Sequence, residues 1–246
     1  MTEALNVTGN KKKRILMVGS NTGVSTTIGG PVGLWASELT HAYLEFIQKG
    51  YDVTIASPKG GKLEFDSLSD PRDSSRYSEE DMISMGFIHT PKMMALLENT
   101  PSLENLRQED FDAIVIVGGQ GPMFTFPKEK GLHKLMAEFY EAEKPTAALC
   151  HGTSALLFVK LSNGKYLIEG KTMTGFADSE EDYADHFMGK KVMPFRIEDE
   201  AKKLGANFIT GGTFKEFAVR DGRLITGQQQ YSGAATARLV IEAVGN

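Results

Sequence analysis

The chain is 246 residues long, with 27 lysines and arginines against 32 aspartates and glutamates and a formal net charge of −5. That mild acidity, with an ordinary apolar share, describes a globular protein large enough to bury a sizeable core, and it excludes the basic footprint of a nucleic-acid binder. Cys150 is the only cysteine, which rules out an intrachain disulfide and a multi-thiolate metal site and fits a reducing, cytoplasmic setting.

Residues 1–11 read as a polar, frayed leader. The lysines at 11–13 precede the apolar run Ile15-Leu16-Met17-Val18, but Gly19-Ser20-Asn21 ends it at once, so it is a first strand and not a signal peptide. No other apolar run is long enough to span a bilayer, so no membrane partner is expected. After a loop rich in Gly, Ser, Thr and Asn, the spacing of Leu34, Trp35, Glu38, Leu39, Ala42, Tyr43 and Phe46 predicts an amphipathic helix that ends at Gly50. Tyr51 to Ala56 is a second strand, and the resulting βαβ unit implies a parallel sheet. From about 58 to 106 the texture turns polar, apart from a helix predicted over Lys92 to Glu98. A connection that long reads as an inserted lid or interface element rather than a core piece.

Phe111 to Val117 is the third strand, running into Gly118-Gly119-Gln120-Gly121-Pro122 at the sheet edge where open α/β sheets bind ligands. The dinucleotide fingerprint G-x-G-x-x-G is absent there, so no nucleotide cofactor is expected. A helix over Gly131 to Ala142 leads to Thr146-Ala147-Ala148-Leu149-Cys150-His151-Gly152. Beyond it come a turn at Asn163-Gly164, a short strand over Lys171 to Phe176 and the acidic cluster Asp178 to Asp182. The chain closes with a helix over Ile197 to Leu204, a strand over Asn207 to Thr210, a hairpin turned by Asp221-Gly222 and a helix over Ser232 to Ala243. These elements predict a flavodoxin-like, doubly wound α/β domain over 12–246, with a mainly parallel sheet, helices on both faces and an inserted polar segment.

The chemistry concentrates at Cys150. A buried strand gives way there to a pattern that suits a helix, and the flanking Ala148 and Gly152 are small enough for a tight nucleophile elbow. A helix N-terminus favours the thiolate and offers free N–H groups to an oxyanion. The alternative is an inert buried thiol. Glu38 is out of character on an apolar stripe: either it is buried and paired or protonated, or it is solvated at the stripe's edge. The acidic cluster is either a solvated helix start or the source of an acid that orients His151. A metal site from Glu180, Asp182 and His186 is disfavoured, since their spacing is ordinary for an exposed helix, and none is expected.

Together, Ala147 to Gly152, Val115 to Gly121 and Asp221 to Gly227 resemble the ThiJ/PfpI superfamily, which includes the Parkinson-associated deglycase and the class I glutamine amidotransferase fold. Gly33 to Glu38, Leu167 to Lys171 and Thr174 to Asp178 are most similar to its branch of heat-shock chaperones that are also glutathione-independent glyoxalases. The resemblance implies that Cys150 is the nucleophile, His151 its base and Glu181 the acid that orients the histidine, with Asp178 the competitor for that role. It implies further that Glu38 contacts the sulfur and that Gly119 and His151 donate the oxyanion-hole N–H groups. Gln120 departs from the branch's frequent histidine, and Thr153-Ser154 from its frequent Gly-Pro, which bears on substrate choice.

The activity so implied is conversion of methylglyoxal, a small reactive aldehyde, to lactate without a metal or other cofactor, by a homodimer. A cysteine amidase or peptidase uses the same elbow. A glutaminase would need a His-x-Glu pair late in the chain, and none of His41, His89, His133 or His186 begins one. The reading from a different class is a holdase chaperone or oxidative-stress sensor, with Met82, Met85, Met93 and Met94 either an exposed patch or ordinary core filling.

Overall fold

The computed structural model describes residues 12–245, so the leader expected at 1–11 lies outside the described residues. The chain opens with β1 (Arg14–Val18), followed by the short β2 (Gly23–Val24) and β3 (Pro31–Val32), α1 (Ala36–Gln48) and β4 (Asp52–Ala56). Next come α2 (Met82–Ile88), α3 (Pro91–Glu98), β5 (Ala113–Ile116), α4 (Gly121–Thr125), α5 (Lys130–Glu141) and β6 (Thr146–Leu149). The remainder supplies β7 (Thr172–Met173), α6 (Asp178–Met188), α7 (Ile197–Lys203), β8 (Asn207–Phe208), the hairpin β9 (Ala218–Asp221) and β10 (Leu224–Gly227), and α8 (Gly233–Val244).

The central sheet has the order β4-β1-β5-β6-β10-β9. Its first five strands run parallel, and β9 closes the edge antiparallel to β10. This is the doubly wound flavodoxin-like α/β fold. Strand side chains alternate between faces and so divide the core in two. Ile15, Met17, Val115, Val117 and Leu149 pack with Leu39, Ala42 and Phe46 of α1 and Val240 of α8. Leu16, Ile114, Ile116 and Ala148 pack with Leu135, Met136 and Phe139 of α5 and Ile197 of α7. Burial on both faces explains why these strands read as continuous apolar runs rather than alternating ones.

The segment 58–106 is not confined to the periphery. Leu63, Phe87 and Leu97 are buried in the same cluster as Ile15 and Leu34, which corrects the expectation of a lid with no core role. A bridge between Leu34 and Phe65 ties its first part to the entry of α1. The pattern after Gly152 also resolves differently from the predicted helix: Cys150–Phe158 is a run of 3₁₀ turns. The Thr153 hydroxyl donates to the Cys150 carbonyl at 2.7 Å, occupying the acceptor that an α-helix would give to the N–H of residue 154. No helix among the described residues is long and apolar enough to cross a membrane.

The register places the carboxyl ends of the parallel strands level with one another. Val18 lies opposite Ile116, Ile116 opposite Ala148, and Leu149 opposite Gly227. The loops after β5 and β6 therefore meet at one edge. The packing that fixes this edge depends on α1, whose Phe46 is fully buried. Phe46→Ala is expected to cost about 3–5 kcal/mol in chemical denaturation, and a loss under about 1 kcal/mol would contradict the assigned core.

Candidate active site

Cys150 stands at the end of β6 with φ +53°, whereas Leu149 before it is still extended. The left-handed conformation costs a non-glycine residue about 1–3 kcal/mol and is found preferentially at functional sites. It turns the side chain out of the strand direction at the point where the loop after β5 arrives. That loop requires glycine twice. At Gly118 a methyl would meet Glu38 Oε2 at 2.5 Å and Cys150 Cβ at 2.8 Å, and Gly119 has φ +110° with Trp35 N where its Cβ would be.

Around the sulfur four sequence-derived candidates come together. Cys150 Sγ lies 3.7 Å from His151 Nδ1, and His151 Nε2 lies 3.0 Å from Glu181 Oε1. Histidine and glutamate are both nearly inaccessible, and the Phe176 ring stacks on the imidazole at 4.1 Å. Glu38, on the inner face of α1, is completely buried. Its Oε2 accepts the Gly118 N–H at 2.8 Å, its Oε1 has no hydrogen-bond partner among the described residues, and the carboxyl lies beside the Cys150 thiol, close enough to act on its ionisation. The backbone N–H groups of Gly119 and His151 also point at the sulfur.

Asp178 is directed elsewhere. It faces the Arg196 guanidinium, which also holds Asp182 and Asp185 at 2.8 and 3.0 Å. His186 is exposed on α6, and no cluster of His, Cys, Asp and Glu suited to a metal ion occurs among the described residues.

Burial governs the ionisation of this site. It raises the Glu38 carboxyl from its ordinary 4.5 to about 8, against the opposing influence of the adjacent Cys150 thiol and the Gly118 N–H. Burial and the adjacent Glu38 also push the Cys150 thiol up, with the N–H groups of His151 and Gly119 pulling the other way. The expectation of a thiol lowered by a helix N-terminus is thereby corrected. A short 3₁₀ run offers weak dipolar help, and two acidic groups are buried next to each other.

Residues 33–243 match the DJ-1/PfpI family. The chain belongs to the DJ-1/PfpI family. It is 30% identical over 241 residues to the glutathione-independent glyoxalase HSP31 of Saccharomyces cerevisiae, an alignment covering 96% of this chain and 99% of the relative. Among solved structures it resembles glyoxalase III from Candida albicans, with TM-score 0.77, 28% identity and coverage of 94% and 97%. It also resembles the rapid encystment protein of Francisella tularensis, with TM-score 0.85, 29% identity and coverage of 95% and 100%.

This DJ-1/PfpI chain carries two buried acids at the site that the sequence did not single out for it. Asp66, from the segment after β4, accepts the N–H of Gly33 at 2.7 Å and of Gln120 at 2.6 Å, and so clamps the peptide that follows Gly119. Burial raises its carboxyl to about 7. Glu180 accepts from the N–H groups of Ala177 and Phe214 and from Gln228 Nε2, anchoring the start of α6 so that Glu181 reaches His151. Glu180 stood out only as one acid of a cluster and as a ligand of the disfavoured metal site, and Asp66 gave no signal in its polar surroundings, because its role comes from the Leu34–Phe65 bridge. A cavity of about 410 Å³ opens onto Cys150, His151, Glu181 and Asp66.

Because the folded chain holds the Glu38 proton to higher pH than the unfolded chain, folding stability falls as pH rises from 4.5 towards 8. Glu38→Gln removes that loss. Its melting temperature relative to wild type should therefore rise by about 10 °C between about pH 5 and about pH 8.5, and a difference independent of pH would contradict a buried, proton-retaining carboxyl.

Proposed function

We propose that this protein is a cysteine-dependent, glutathione-independent glyoxalase that converts methylglyoxal to lactate. The observation that carries the reading is the sulfur of Cys150 bracketed by His151 Nδ1, the Glu38 carboxyl and the N–H groups of Gly119 and His151 beside an accessible cavity. The names of the relatives favour this chemistry over amide hydrolysis, for which the same nucleophile and base would also serve. A homodimer and a cytoplasmic setting belong to the same reading.

In the proposed cycle Glu181 accepts a hydrogen bond from the Nε2–H of His151, which holds the tautomer that leaves Nδ1 free as a base. Nδ1 takes the thiol proton as sulfur attacks the aldehyde carbon, and the new oxyanion faces the N–H groups of Gly119 and His151. The imidazolium returns the proton to that oxygen, giving a hemithioacetal. The same imidazole then removes hydrogen from the former aldehyde carbon and delivers it to the neighbouring carbon through an enediol. One carbon is oxidised and the other reduced, so no external oxidant is needed.

Water attacks the resulting lactoyl thioester, the carbon–sulfur bond breaks, and lactate leaves as the thiol regains its proton. His151 is the better candidate for the carbon-to-carbon transfer because it lines the cavity, whereas Glu38 is fully enclosed against the sulfur. The role of Glu38 in this scheme is to hold a proton at the sulfur and limit negative charge there.

Purified protein incubated with methylglyoxal in the absence of glutathione is expected to form lactate, and Cys150→Ala to form none. Glu181→Gln should lower kcat by about 10²–10⁴-fold, the range of a positioned general base, while Asp178→Asn stays within about threefold of wild type. Lactate formation that survives Cys150→Ala, or equal losses in the two acid variants, would overturn the scheme.

A further inference from the structure

The cavity is large for methylglyoxal. That molecule displaces roughly the volume of two or three waters, at ~30 Å³ each in the liquid. The space beside Cys150 is about 410 Å³. Sites of ~300–1,000 Å³ ordinarily enclose much larger ligands.

Two groups of aromatic rings line its wall. Trp35 and Tyr77 meet edge to face, with ring centres 6.1 Å apart. A second series starts at His151: Phe176 stacks on the imidazole, Phe214 lies 6.4 Å from Phe176, and Tyr183 lies 5.2 Å from Phe214. The series ends at the mouth, where Tyr183 is 56% exposed and Phe187, also on the wall, is 69% exposed. Large aromatic side chains left in water beside a cavity mark a surface suited to an apolar ligand.

The charges along the wall point the same way. Asp66, His151 and Glu181 line the cavity, and among the described residues no lysine or arginine does. A wall without lysine or arginine gives an anionic substrate no cation to pair with and leaves neutral apolar groups as the fitting partners.

We propose that the cavity selects uncharged α-oxoaldehydes bearing an aryl or bulky alkyl group over methylglyoxal, with Tyr183 and Phe187 setting the preference at its mouth. The inference rests on the glyoxalase reading and adds the class of substrate to it. The reacting end is the same as for methylglyoxal, so the chemistry on Cys150 is unchanged: the thiol adds to the aldehyde, hydrogen passes between the two carbons, and water releases a 2-hydroxy acid. The larger group rests between the aromatic walls, away from the reacting carbons. Contacts of that kind are made equally before and during reaction, so the advantage falls in KM more than in kcat.

Steady-state kinetics on the full chain compare methylglyoxal, phenylglyoxal and the para-carboxy derivative of phenylglyoxal, with Cys150→Ala as background. The expected kcat/KM for phenylglyoxal is at least about tenfold above that for methylglyoxal, carried by a lower KM, and the carboxylated compound falls at least about tenfold below phenylglyoxal. The double variant Tyr183→Ala, Phe187→Ala truncates exposed side chains and is expected to fold; it should reduce the phenylglyoxal-to-methylglyoxal ratio by about tenfold. Turnover of both aldehydes with a ratio at or below one, or a ratio unmoved in the double variant, would overturn the inference and leave the glyoxalase reading standing. Turnover of neither aldehyde by folded wild-type protein would overturn that reading and this inference with it.

Discussion

A carboxyl group and a thiol are buried side by side beneath the sheet edge, and much of the site follows from that enclosure. Glu38 is fully buried and Cys150 is 3% exposed, so neither can ionise as it would in water. Two negative charges in contact at that depth are strongly disfavoured, which keeps at least one proton on the pair through the neutral range. The surrounding donors suit such a pair. Gly118 N–H serves the carboxyl, and the N–H groups of Gly119 and His151 face the sulfur. A proton held on Glu38 limits the negative charge beside the sulfur, and the two N–H groups are positioned for charge that leaves it for a substrate oxygen.

Holding these groups together takes elements far apart in the chain. The parallel register brings the ends of β5 and β6 level, α1 lays Glu38 against both, and α6 brings Glu181 to His151. Asp66 completes the arrangement by tying Gly33, at the entry to α1, to Gln120, inside the glycine loop. Its segment enters the core through Leu63, Phe87 and Leu97, so the clamp rests on packed side chains rather than on a free loop. The strained φ of Cys150 is maintained in the same way, by Thr153 on its carbonyl and by the strand behind it.

Much of this was legible in the sequence. Buried parallel strands read as continuous apolar runs, and the elbow was visible because small residues, Ala148 and Gly152, stand two positions to either side of Cys150. Glu38 stood out as an acid on an apolar stripe, but the stripe could not say whether that acid was enclosed or at the edge; the contact between α1 and the loop after β5 decides it. Asp66 carried no local signature, since it acts through a bridge between residues about thirty positions apart. The run after Gly152 misled because an almost wholly buried apolar stretch suits either kind of helix, while Thr153 takes the carbonyl on which an α-helix would build. The direction of the thiol's shift was the least legible feature: a helix end and a burial site pull it in opposite ways, and only the three-dimensional enclosure shows that burial wins.

The shared proton is tested most directly by following the ultraviolet absorbance of the Cys150 thiolate against pH in wild type and in Glu38→Gln, which is practical because the chain has a single cysteine. Coupled groups lose their protons in steps that belong to the pair. Wild type should therefore show a two-step profile in which ionisation of the carboxyl perturbs that of the thiol, and Glu38→Gln should show one step. The same single-step titration in both proteins would mean that the two groups ionise independently, and the coupling that underlies this account would be wrong.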